Sequence, residues 1–282
     1  MGDPANYVVI ERGETLLGWS RWGGHRVVAD LRAGPEAATE ALRPRRPAVP
    51  PPPNTAEALL WSGVMPVEEL MDDRSCIGGA LIDHDRRELL AFEWFEDYAM
   101  FVDGLATLVE AWPGWRVRWA YDGVLDLAAY LGHDRAPLLR PDRPADAPFL
   151  RAPDDECDGV LSVRRRDGAL DLYPTFDDPS VLAVVTAAAV DALGPGLAEL
   201  TLPEVPRWGL HVDRAARTAG LWTIDQLNGA LIDPPADWTW QLWGGDVRPQ
   251  LVACAGALQV PPLPARLRGL DVISTAPWPN TR

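Results

Sequence analysis

The sequence predicts an α+β fold, with antiparallel sheets built from repeated β-hairpins, helices packed on one face and an internal duplication. A pair of short strands around a polar turn, followed by an apolar, helix-like stretch, recurs four times. In the two clearest copies, residues 77–94 and 208–224, an Asp opens the turn (Asp83, Asp213) and an Arg stands four residues later (Arg87, Arg217). Each copy is followed by a tryptophan-rich strand, Trp115-Arg116-Val117-Arg118-Trp119 or Trp238-Thr239-Trp240-Gln241-Leu242-Trp243, and an apolar segment closed by Gly132 or Gly256. Hairpins with short turns pair antiparallel, so a meandering sheet is the simplest assembly.

The first hairpin joins Tyr7-Val8-Val9-Ile10 to Thr15-Leu16-Leu17-Gly18-Trp19, and residues 26–31 read as a further strand. A helix begins near Pro35, because a first-turn proline followed by Glu36 and alanines suits a helix start. The prolines at 47 and 50–53 then read as an extended connector, followed by short helices at 55–60 and 66–71. After the hairpin at 77–94, Phe101, Leu105, Leu108 and Val109 fall at helical spacing and predict a helix over 98–111. A second proline- and aspartate-rich connector occupies 136–158. The third hairpin joins 159–163 to 169–173 around the Asp167-Gly168 pair, which tolerates positive φ. Residues 181–193 predict a buried helix and 197–202 a strand, with a proline-punctuated tail after Pro261. The boundaries give a small αβ module at 1–46, a linker at 47–58, a hairpin–helix–strand domain at 59–140, a linker at 141–157 and a second, related domain at 158–282.

The chain has 282 residues and a net charge of −15, and all 26 of its basic residues are arginine. An acidic chain opposes binding to phosphate backbones, so no nucleic-acid partner is expected, and it suits a basic protein instead. No window reaches the apolar length that spans a bilayer, and Met1-Gly2-Asp3-Pro4 lacks a charged leader, so a cytoplasmic protein without membrane contact is expected. Cys76, Cys157 and Cys254 lie far apart and outside any metal-ligand spacing. They read as reduced thiols.

Glu93, Glu96, Asp97 and Asp103 form an acidic patch around Trp94, suited to arginines or lysines of a bound protein. Thirteen tryptophans concentrate at strand ends; among them Trp119 and Trp240 are binding candidates, since Trp anchors interfaces with a large apolar area and a polar tip. Asp83-His84-Asp85 combines carboxylates with an imidazole, although a hairpin tip also collects such residues for its turn. No nucleophile elbow, phosphate loop, dinucleotide fingerprint or His-Glu-x-x-His motif occurs. No catalytic residue, metal ligand or cofactor is assigned.

At Trp22-Gly23-Gly24-His25 with Gly34-Pro35-Glu36-Ala37-Ala38, and again at Ile82-Asp83 through Leu90 and at Trp112-Pro113-Gly114-Trp115, the chain resembles a family of uncharacterised proteins from GC-rich, actinomycete-type bacteria. That resemblance covers about the first half and implies no particular activity. The first module also resembles the WGR domain in its Trp-Gly turn between strands and the helix that follows, with Gly24 in place of that signature's arginine. The leading expectation is a cytoplasmic interaction module, of the immunity or antitoxin-like inhibitor kind, binding a basic partner. The alternative is a small-molecule binding protein or enzyme with a site between the duplicated halves that draws on Asp83, His84 or His211. The oligomeric state stays open.

Overall fold

Two neighbouring strands that run parallel form the middle of each sheet, and the hairpins hang from them. The computed structural model describes residues 3–42, 62–65, 70, 76–135, 138, 157–176, 193–227 and 238–267. These divide into two compact units, residues 3–95 with 100–138, and residues 157–267 with 96–99. The proline-rich stretch at 47–58, nearly all of the short helices at 55–60 and 66–71, and most of the 136–158 connector and of helix 181–193 lie outside the described residues.

In the first unit, β1 (Ala5–Glu11) and β2 (Glu14–Ser20) form an antiparallel hairpin, as do β4 (Gly78–Asp83) and β5 (Glu88–Phe92). β3 (Ser62–Met65) adds to β2, and β6 (Arg116–Trp119) adds parallel to β5. The sheet order is β3-β2-β1-β4-β5-β6, with β1 parallel to β4. α1 (Val27–Leu31) and α2 (Pro35–Leu42) follow the first hairpin, α3 (Tyr98–Ala111) the second, and α4 (Val124–Tyr130) follows β6.

In the second unit, β7 (Gly159–Arg164) pairs with β8 (Leu170–Thr175), and β10 (Trp208–Asp213) pairs with β11 (Thr218–Thr223). β12 (Thr239–Leu242) is parallel to β11, and the order is β12-β11-β10-β7-β8 with β7 parallel to β10. α5 (Arg248–Ala253) follows β12, while β9 (Leu200–Thr201) and β13 (Leu258–Gln259) make a small parallel pair. Val160, Leu172, Leu200, Leu202, Cys254 and Leu258 pack together as this unit's apolar core. Strands β2-β1-β4-β5-β6 and β8-β7-β10-β11-β12 therefore repeat one order with the same directions.

All four hairpins stand where the sequence places them, but the sheets are mixed rather than purely antiparallel. Joining β1 to β4 in parallel requires a long crossover, and 66 residues separate the end of β1 from the start of β4. The cue lay in composition. Most of β1 and all of β4 are buried, as expected for strands covered on both faces, not for the half-exposed strands of a meander. A second correction concerns residues 26–31, which form helix α1 instead of a strand. Val27 and Leu31 are both fully buried at i, i+4 spacing. The Val28 amide donates to Glu93 Oε2 at 2.7 Å, and the Trp112 indole donates to the Leu31 carbonyl at 2.9 Å. Those anchors outweigh the weak strand preference of two valines.

The Asp and Arg of the repeated turns have identifiable tasks. Asp83 Oδ1 accepts the Arg86 amide at 2.9 Å, and Asp213 Oδ1 accepts the amides of Ala215 and Ala216 at 3.0 and 2.8 Å. Arg87 and Arg217 both take φ of 53°, closing the turn in the left-handed region. Packing is equally specific. Trp208, fully buried, lies over Gly159 so closely that a methyl group there would overlap its ring. Gly159→Ala should cost about 1–3 kcal/mol by overpacking, read as a lower urea midpoint at unchanged slope; an unchanged midpoint would contradict this packing.

Candidate functional site

The tip of the β4–β5 hairpin brings together the Asp83-His84-Asp85 triplet, and each side chain is engaged by a different neighbour. Asp83 Oδ2 accepts the Tyr130 hydroxyl at 2.7 Å from α4, and the adjacent Glu88 Oε1 accepts Arg118 Nη1 at 2.7 Å. Burial, with the Asp83 carboxylate beside it, pushes the Tyr130 phenol well above its ordinary range. His84 Nε2 lies 2.8 Å from Thr39 Oγ1 on α2, and its ring meets Trp115 edge-on at 5.1 Å. Asp85 reaches across to the neighbouring β1–β2 turn, where it accepts the amides of Arg12 and Gly13 at 2.8 and 2.7 Å. Those two bonds hold its carboxyl below the usual range, Gly13 contributing most. The triplet thus ties two turns and two helices together. Among the described residues, no three His, Cys, Asp or Glu side chains gather as a metal would require.

The acidic patch is only partly a surface. Glu93 is 8 % exposed and turns inward, its carboxylate accepting the Val28 amide. Burial pushes its pKa up to about 7, with Asp30 adding repulsion against the Val28 bond. Asp30 is itself raised by burial and accepts the buried Tyr7 hydroxyl at 3.3 Å. Trp94 stands out at 43 % exposure, its ring edge-on to His25 at 5.3 Å, and His25 lies 4.0 Å from Asp3. Glu96, Asp97 and Asp103 are exposed. Along α3 the exposed face continues through Met100, Asp103 and Glu110, and no basic residue occurs between Arg87 and Arg116. Trp119 is a core residue, 2 % exposed, tilted against Phe95 and edge-on to Phe101. Trp240, in the second unit, is half-buried with no hydrogen-bond partner for its Nε1 among the described residues. The structure therefore does not gather all seven candidates into one surface. Met100 and Glu110 join the exposed ones, a continuation that the i, i+3 and i+7 spacing already carried.

In the second unit, His211 is buried inside a hydrogen-bonded network. Its Nδ1 lies 2.9 Å from Ser162 Oγ, and Gln250 Nε2 reaches Ser162 Oγ at 3.0 Å and the Val160 carbonyl at 3.1 Å. The Trp222 indole donates to Gln250 Oε1 at 2.6 Å. Ser162, Trp222 and Gln250 are fully buried. No spacing along the chain announces this group, since Ser162 and His211 meet only through the parallel register of β7 and β10.

Neither protein-family models, nor curated proteins, nor solved structures match this chain. Among the described residues no helix is long and apolar enough to cross a membrane. Cys76, Cys157 and Cys254 are all free thiols.

Glu93 makes the first unit's stability depend on pH. Its carboxyl keeps a proton in the folded chain that it would lose near 4.5 when unfolded. Its stabilising effect is thus complete below about pH 4.5 and fades as pH rises through about 7. Glu93→Gln should flatten that slope and raise stability at pH 8 by up to about 3 kcal/mol. Denaturant titrations of both chains across this range check it, and parallel curves would refute the buried proton.

Proposed function

We propose that this protein is an interaction module that meets a basic protein partner through an exposed acidic face along residues 94–110, in the manner of an immunity or antitoxin-like inhibitor. The observation that supports the reading best is the combination on one stretch of chain of exposed Trp94 (43 %) and Met100 (50 %) with exposed Glu96, Asp97, Asp103 and Glu110 and no intervening cation. Large apolar side chains contribute contact area, and Trp is the residue most often found at binding hot spots. The carboxylates add long-range attraction, strengthened by a chain-wide charge of −15, which speeds encounter with a cationic surface and disfavours acidic competitors. Three free thiols agree with a reducing, cytoplasmic setting. The common strand order of the two units further supports an origin by internal duplication. In this reading one copy carries the acidic face and the other was free to change its core.

The test is capture of partners from the native cell, followed by titration calorimetry with each captured protein at low and high salt. The expected partner is basic and binds more weakly as salt rises. Trp94→Ser with Met100→Ser should slow association little and weaken affinity about tenfold or more, whereas Asp103→Arg with Glu110→Arg should mainly slow association. A partner that binds all of these variants equally, or an acidic one, would remove the proposal.

A further inference from the structure

The two units share a strand order, so core positions can be matched one to one. Counting back two residues from the paired ends Ile10–Asp83 and Arg164–Asp213 sets Val8 and Leu81 of the first unit against Ser162 and His211 of the second. The partners of Gly79 and Gly209 across the hairpins are Phe92 and Trp222. The amide that ends each helix, Leu131 or Cys254, donates to the carbonyl of Leu127 or Gln250. The first unit thus builds these four positions from Val8, Leu81, Phe92 and Leu127, all fully buried. The second builds them from Ser162, His211, Trp222 and Gln250, joined by hydrogen bonds. The sheet does not need polar groups there, and an apolar set avoids the cost of desolvating them.

The network accommodates a neutral imidazole best. Gln250 donates to Ser162 Oγ, and the serine hydroxyl has two acceptors within reach, Nδ1 of His211 at 2.9 Å and the Leu210 carbonyl at 3.3 Å. A proton on Nδ1 removes the nearer acceptor and turns the hydroxyl to the longer Leu210 bond, and it puts a charge on a ring that is only 7 % exposed. The new charge also arrives beside a cation. Arg164 of β7 sits near His211, its Nε 3.9 Å from Asp213 and its Nη2 donating to the Ala253 carbonyl at 2.6 Å. Asp213 already spends Oδ1 on two turn amides. From α5 and the residue that ends it come Gln250 and the Cys254 thiol, while β11 and β12 bring Gly220, Thr218 and Gln241, which do not titrate. Asp213 is the carboxylate among these groups that attracts a buried imidazolium, and the Arg164 guanidinium beside it outweighs that attraction.

We propose that the Ser162–His211–Gln250 network is an acid-sensitive latch, so that protonation of His211 opens the second unit while the first, apolar at the same positions, stays closed. Burial, with Arg164 adding repulsion, pushes His211 down to about 4. The folded chain therefore refuses a proton that the unfolded chain accepts near 6.5, and the latch loosens as pH falls from 6.5 towards 4. Glu93 acts in the opposite direction in the first unit.

Peptide-resolved hydrogen exchange on the full chain, corrected for intrinsic rates, tests this. Between about pH 7.5 and 4.5, protection across β7, β10 and β11 should fall about a hundredfold, while β1, β4 and β5 lose none. His211→Gln, which cannot take the proton, and the first-unit replacement Ser162→Val with His211→Leu should both abolish that loss. Should both variants fail to fold, the His211 ring resonance of the unaltered chain decides: titration near 6.5 overturns the latch, and a neutral ring down to about 4 supports it. Equal protection in both units at low pH, or acid loss that persists in His211→Gln, would also overturn it.

Discussion

Parallel pairing of one hairpin's first strand with the next hairpin's first strand is the constraint on which each unit rests. β1 lies along β4 over six register pairs, and β7 lies along β10 over six. A parallel neighbour forces the chain to return over the sheet, and in the first unit α1 and α2 lie on the return from the first hairpin to β4. It also sets the two turns of a unit side by side at one end. In the first unit that proximity lets Asp85 hold the turn of the other hairpin by two charge-assisted bonds. In the second, Ala215 takes the equivalent place, and the Arg214 amide bonding the Arg164 carbonyl at 3.0 Å maintains the junction.

The same frame supports two different distributions of polar groups. The first unit places buried charges at both ends of its sheet, Glu88 pairing with Arg118 and Asp83 with Tyr130 at one end and Asp122 pairing with Arg135 beyond the other. Arg118 Nε has no hydrogen-bond partner among the described residues, so the Glu88 contact carries much of the compensation for burying that guanidinium. Breaking such a pair exposes the full desolvation cost of the remaining charge, although the intact pair adds little net stability. The second unit instead puts neutral polar groups at the centre, where each hydrogen bond is strong because the surroundings are apolar and each loss is costly for the same reason.

The sequence carried local geometry well and neighbour relations poorly. Asp83 and Asp213 as turn acceptors, Arg87 and Arg217 closing the turns, and α3 with Phe101, Leu105 and Leu108 inward all follow from short-range chemistry. Which strand lies beside β1 is decided by contacts more than sixty residues apart, and a period of two is the same for parallel and antiparallel neighbours. Glu93 stood among acids and read as surface, yet it closes strand β5 where α1 covers it and offers an amide. Trp119 and Trp94 illustrate the limit for aromatic residues. Both flank strand ends, and only the packing of Phe95 and Phe101 settles that one is core and the other exposed.

In the proposed interaction, an acidic face with two exposed apolar side chains would divide recognition into separable parts. Exposed carboxylates each contribute little to affinity because water and salt screen them, so their influence falls on encounter and on the exclusion of like-charged surfaces. In that proposal Trp94 and Met100 would work at contact, where area removed from water slows dissociation. Neither part requires a deep cavity or a precise catalytic geometry. It requires a stiff platform, and α3 meets that condition through Phe101, Val102, Leu105 and Leu108, all 2 % exposed or less. Since those anchors point inward from the same helix that displays Met100, Asp103 and Glu110 outward, substitutions on the outer face can retune recognition without disturbing the sheet beneath it.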